Sequence, residues 1–334
     1  KSGQQLLIEN ALEDSRIPIF EEDFLKVGSL MAVPLKTRDS ILGVMVAVNK
    51  IDQPVFTDAD ISLFDTLASQ AAVSVAYGHL YNNLAEKERL DRELQIAKEI
   101  QNLLLPKEFP ILPGFDISAM NEPALEVGGD YFDFLKIDDH RYGIVIADVS
   151  GKGVPAALVM VMCRSILRSI SKGQTSSSKV LSELNSLIHP DLKSDMFVSV
   201  SFLILNTQKR VLTIARAGHE PLLLYNQKTE KVTHVTGKGI AIGIDKGPLF
   251  VQNIEEIHFN MGKGDFAVLY TDGISEAIDE NNQEFGRDNL INAMKTSRSS
   301  TAGEIVENIC ERIKRFTGDK PQRDDLTLVV IKAT

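Results

Sequence analysis

GIVIADVSG (143–151), FAVLYTDG (266–273) and RDDLTLVVI (323–331) share one design. Each is a strand-length apolar run with an aspartate at one end and glycine or polar residues beside it. A buried strand fixes its end residue, and glycine lets the backbone approach an ion closely. A fourth segment, EVGGDYFDF (126–134), sets Asp130 behind a glycine pair. Any one Asp beside Gly reads as a turn. Four such sites, three of them tied to apolar strands, are hard to explain as turns alone. Clustered carboxylates repel unless a cation neutralises them. Oxygen-only donors suit hard ions such as magnesium or manganese, and no Cys or His cluster has zinc spacing.

Around these segments lie further β-rich runs, MFVSVSFLIL (196–205) and VLTIARAG (211–218). Helical stretches interrupt them at about 155–171 and 302–316. Strands in runs with segregated helices predict an α+β layered domain, not alternating βαβ units.

Upstream, Pro106, Pro110 and Pro113 end a long helical pattern. That helix starts at TDADISLFDTLASQAAVSVAY (57–77), with Thr57 as cap and Asp58 and Asp60 in the first turn. Leu63, Leu67, Ala71 and Val75 form the expected apolar face. Leu90, Leu94, Ala97, Gln101 and Leu104 alternate steps of four and three, the spacing of a coiled coil that pairs with a second copy. Lys87 and Asn83 are poor seam residues in the same register. Before the helix, SLMAVPLKTRDSILGVMVAVN (29–49) reads as a hairpin turning at TRDS.

The 334 residues suffice for two domains at roughly 100–200 residues each, with 43% apolar and 25% charged residues placing the chain among ordinary globular proteins. A net charge of -10 argues against nucleic acid and anionic lipid as partners and fits carboxylate-held metals. The two cysteines, Cys163 and Cys310, read as buried thiols and fit a reducing, cytoplasmic setting. No apolar stretch approaches the ~20 residues of a membrane helix, and no signal-peptide pattern follows Lys1.

The ordered motifs ELQIAKEIQNLLLP (93–106), EVGGDYFDF, IADVSGKGVPAAL (146–158), DMFVSVSFLIL (195–205), ARAGHEPLLLY (215–225), GIAIGI (239–244), LYTDGISEA (269–277) and RDDLTLVV (323–330) resemble the SpoIIE-type branch of the PPM serine/threonine phosphatases. The resemblance implies two stacked antiparallel sheets flanked by helices, with a two-metal site (Mn2+ or Mg2+) at one end. It implies Asp130, Asp148, Asp272 and Asp324 as catalytic metal ligands, with the Val149 carbonyl as a further one. Asp324 is preferred because the family's ligand is the first residue of its motif; a strand starting one residue differently would give Asp325 the role. Two ions would lower the pKa of a shared water, so no protein nucleophile is required. Ser150 and Ser275 then read as structural. The wider family often has a histidine where Ser150 stands, so the leaving-group acid is unassigned; Lys152 is a weak candidate for binding substrate phosphate. His219 reads as part of turn architecture. The implied substrate is a phosphorylated regulatory protein, an anti-sigma-factor antagonist; the alternative is an inactive module of the same fold that binds such a partner.

SLMAVPL (29–35), ILGVMVAVNK (41–50) and FTDADISLFDTLASQAAVSVAY (56–77) resemble the C-terminal half of a GAF sensor domain. Its N-terminal strands and first helix are expected to be missing from this chain. The expected layout is a partial GAF-like α/β sensor (1–80), a coiled-coil-like helical linker (81–106) that makes a homodimer, and a PPM-type antiparallel β-sandwich (107–334). GGDYF echoes the GGDEF of diguanylate cyclases, but the match breaks at Tyr131 and leaves Asp272 and Asp324 unexplained.

Overall fold

The computed structural model describes residues 3–11, 13–15, 27–51, 53 and 55–334. The chain divides into two compact units, Lys1–Glu93 and Leu94–Thr334. In the first, β1 (Leu6–Ile8), β2 (Leu30–Lys36) and β3 (Ile41–Val48) form an antiparallel sheet in that order. The β2–β3 hairpin turns at TRDS, where Thr37 N–H donates to the Ser40 carbonyl. Helix α1 (Asp58–Leu104) begins as the sequence predicts: Asp60 N–H donates to Thr57 Oγ1, and Thr57 N–H donates back to Asp60 Oδ2 at 2.7 Å.

The apolar face expected along α1 is not the one buried within the chain. Leu63, Leu67 and Val75 are exposed, and Ala71 is only half-buried. The buried stripe is Ile61, Ala68 and Ala72, with Ile61 and Ala68 in a cluster with Met31, Val33 and Phe56. Small alanines let the helix approach its neighbours closely, which bulky leucines would prevent. The C-terminal part of the expected coiled-coil register also turns inward. Gln101 is buried, and Ala97 and Leu104 are half-buried, while Ile96, Ile100 and Leu103 face outward. None of the described helices is long and apolar enough to cross a membrane.

The second unit has two five-stranded antiparallel sheets. One contains β5 (Tyr131–Lys136), β6 (Arg141–Val149), β7 (Val198–Asn206), β8 (Val211–Ala217) and β11 (Glu256–Asn260), in the order β11-β8-β7-β6-β5. The other contains β4 (Phe115–Glu122), β9 (Leu222–Asn226), β10 (Lys231–Val235), β12 (Phe266–Tyr270) and β13 (Leu326–Ala333), in the order β10-β9-β12-β13-β4. Between the sheets, Ile144, Ile146 and Leu203 share a core with Leu269, Val329 and Ile331. The opposite face of the first sheet packs Val145, Ala147 and Phe202 with α2 (Val154–Ile170) and α3 (Ser177–Ile188). The opposite face of the second packs Val268, Leu328 and Val330 with α6 (Gly286–Thr296) and α7 (Ala302–Thr317). Strands covered on both faces need apolar residues at every position, which is why these runs do not alternate. Short helices α4 (Pro248–Asn253) and α5 (Asp272–Glu276) complete the unit. The fold is therefore the expected α+β sandwich; α2 and α7 match the expected helical stretches, and α3, α4, α5 and α6 lie outside them.

Candidate active site

The topology brings three strand ends to one place. Strand β6 ends beyond Asp148, which pairs with Ser199 of β7. Strands β12 and β13 run antiparallel with Tyr270 opposite Leu328, so the exit of β12 and the entry of β13 coincide. Asp272 follows β12 as the first residue of α5, and Asp324 lies two residues before β13. Asp148, Val149, Asp272 and Asp324 line one cavity of about 330 Å³, with Ser199, His219 and Glu220 on its wall.

Asp130 is reached differently. It is buried outside the residues lining that cavity, and its Oδ2 accepts from Thr327 Oγ1 at 2.5 Å and Thr271 Oγ1 at 2.8 Å. Its loop is gripped by Asp325. Asp325 Oδ2 accepts from the N–H groups of Gly129 (2.7 Å) and Asp130 (3.3 Å), and Oδ1 from that of Ala124 (2.8 Å). The glycine pair is required by close approach. A Cβ on Gly128 would lie 2.4 Å from Asp325 Oδ2, and one on Gly129 2.9 Å from the Val149 carbonyl oxygen. From α1, Gln101 closes the other side: Nε2 donates to the Gly128 carbonyl at 2.7 Å, and Oε1 accepts from Gly128 N–H at 3.0 Å.

The cavity is electrostatically frustrated. Burial pushes the Asp148 carboxyl up to about 7, reinforced by the charges of Asp272 and Asp324. Burial and Asp324 raise Asp272, and burial and Asp148 hold Asp130 well above the usual carboxylate range. Among the described residues, the one cation lining the cavity is Lys152, whose Nζ pairs with Asp324 Oδ2 at 2.8 Å and donates to the Arg323 carbonyl. Among the described residues, no three His, Cys, Asp or Glu side chains converge into a ready metal shell. The donor chemistry still fits a hard divalent cation, because three mutually repelling carboxylates line a common space together with Val149.

The serines behave as structural groups. Ser150 Oγ accepts from Phe197 N–H at 2.9 Å, and Ser275 Oγ donates to the Asp272 carbonyl at 3.1 Å. His219 is buried in the turn after β8, with Nδ1 2.8 Å from Ser199 Oγ, and burial pushes its imidazole down to about 3. Sequence reasoning overlooked Ser199 and Glu220. Glu220 adjoins His219 in AGHEP and accepts from Tyr270 Oη (3.2 Å) and Arg287 (2.8 Å). Only the neighbouring motif residue could have drawn attention to it, since those partners lie far along the chain.

Residues 138–334 match the family described as stage II sporulation protein E (SpoIIE), and residues 1–75 match the GAF domain. Phosphoserine phosphatase RsbU of Bacillus subtilis is 31% identical over 274 residues, covering 81% of this chain and 80% of the relative. Among solved structures, the SiaA-PP2C domain of Pseudomonas aeruginosa superposes with a TM-score of 0.65 at 22% identity. It covers 74% of this chain and 98% of its own. The RsbU and RsbW domains of Rv1364c from Mycobacterium tuberculosis give a TM-score of 0.56 at 27% identity, covering 67% of this chain and 62% of that one.

Proposed function

The chain belongs to the SpoIIE family of PP2C-type serine phosphatases, and from that premise we propose that it dephosphorylates a phosphoserine or phosphothreonine on a regulatory protein of the anti-sigma-factor antagonist type. The observation that carries the chemistry is the meeting of Asp148, Asp272, Asp324 and Val149 at one cavity. In this reading those groups, with Asp130 behind them, hold two manganese or magnesium ions. Bound there, the ions supply charge that neutralises phosphoryl oxygens and lowers the pKa of the attacking water.

The protein's own contribution is positioning. Thr271 and Thr327 orient the Asp130 carboxylate, and Asp325 fixes the backbone of its loop. Lys152, tied to Asp324 at the cavity edge, provides positive charge where a phosphoryl group brings negative charge. Neither Ser150 nor Ser275 is needed as a nucleophile. The division into a GAF-like sensor (1–80), a helical linker (81–106) and the phosphatase (107–334) belongs to the same reading. So do a cytoplasmic setting and a homodimer formed through the linker helix.

The test is manganese-dependent release of phosphate from a phosphoserine protein by wild type, Asp148→Asn and Asp272→Asn, with folding checked by circular dichroism. Both variants are expected to be folded and nearly inactive. Activity equal to wild type in either would overturn the ligand assignment.

A further inference from the structure

A second cavity, of about 470 Å³, adjoins the first and shares Lys152 and Asp324 with it. The pairing of Lys152 with Asp324 forms the partition between the two. One wall comes from the end of α7 and the loop after it, and carries Lys314, Lys320 and Arg323. Another part of the lining comes from α5 and the residues after it, and carries Glu276 and Glu284, and Glu122 at the end of β4 adds a third carboxylate. Ile278, Ile313 and Leu326 contribute apolar surface to the lining.

The two charged walls are not equivalent. Glu276 already belongs to the acidic field of the first cavity: burial raises its carboxyl, and Asp272, Glu284 and Asp324 push the same way. The cationic wall has no such engagement. Among the described residues, none of its three side chains makes an ion pair with a carboxylate; Lys320 makes only a 3.4 Å contact with Asn282 Oδ1. Cations held on a wall beside a reaction centre, unpaired and next to apolar surface, form a receptor for acidic and apolar side chains. A phosphoserine bound at the first cavity necessarily brings its own polypeptide along. The second cavity opens from the same partition and offers that polypeptide a groove to follow.

We propose that this groove seats the segment flanking the phosphoserine of the substrate protein, with acidic side chains toward Lys314, Lys320 and Arg323 and an apolar one toward Ile278, Ile313 and Leu326. The proposal rests on the reading that phosphate is released beside Asp148. It adds the kind of sequence the enzyme prefers, a phosphoserine next to an acidic-apolar segment.

The test uses the full chain with manganese and three probes: p-nitrophenyl phosphate, a phosphoserine peptide with Asp, Glu and Leu flanks, and the same peptide with alanine flanks. In wild type, kcat/KM for the acidic-apolar peptide is expected to exceed that for the alanine peptide by roughly tenfold, as about two exposed ion pairs and an apolar contact supply. In the double variant Lys314→Gln, Lys320→Gln, the ratio is expected to fall near one, with p-nitrophenyl phosphate hydrolysis unchanged. Equal kcat/KM for the two peptides in wild type, or an undiminished ratio in the double variant, would overturn the groove assignment. A wild-type enzyme that hydrolyses none of the three probes would instead overturn the catalytic premise, and the groove's role with it.

Discussion

Asp324 and Asp325 are neighbours at the bend that leads into β13, and their side chains engage different partners. Asp324 faces the cavity and meets Lys152, while Asp325 faces inward and accepts three backbone N–H groups of the loop that carries Asp130. Removing a buried acceptor strands its donors, whereas removing one end of a surface ion pair costs little. Asp325→Ala should therefore lose roughly 3 kcal/mol or more in urea denaturation. Asp324→Ala should stay within about 1 kcal/mol of wild type but lose phosphatase activity by roughly a hundredfold or more. Equal stability losses in the two variants would refute this division of labour. At this scale motif order singled out Asp324, which lines the cavity, ahead of Asp325. It was silent on Ser199 and Glu220, because a hydrogen bond such as Glu220 to Tyr270 joins residues with no shared local pattern.

The strands were legible as elements because the sandwich covers both of their faces, and unbroken apolar runs such as Gly143 to Ala147 follow directly. Helix α1 was legible in extent but not in orientation. Two apolar stripes compete along it, and the buried one is the alanine-containing stripe through Ala68 and Ala72. Its C-terminal end carries a specific connection, since the Gln101 side chain completes both hydrogen-bonding groups of Gly128. Those bonds sit beside the Asp130 loop, so they couple the helix end to the catalytic strands. Gln101→Ala should cost about 1–3 kcal/mol of stability and lower the phosphatase rate as the loop loosens. A rate and a denaturation midpoint both equal to wild type would remove the coupling.

Among the described residues, the three large apolar cores draw on residues from Leu105 onward, while the cluster of the first unit draws on residues up to Ala68. A fragment comprising 94–334 keeps every residue lining both cavities. It should unfold in one cooperative thermal transition and retain metal-dependent hydrolysis of p-nitrophenyl phosphate. A fragment that is molten, or folded but unable to hydrolyse the ester with manganese, would show that the first unit is needed for the site itself. By itself the sequence determined the strand runs and the layered α+β class, and it singled out the aspartates at the strand ends. Apolar runs and strand-end carboxylates are written in local order, and that order also identifies the family. Tertiary structure alone decided that Asp148, Asp272 and Asp324 share a cavity while Asp130 stands behind them. It also decided which stripe of α1 is buried, and that a charged groove adjoins the site. Each of these depends on which distant segments pack together, and on how small residues such as Gly128, Gly129 and Ala68 let them approach.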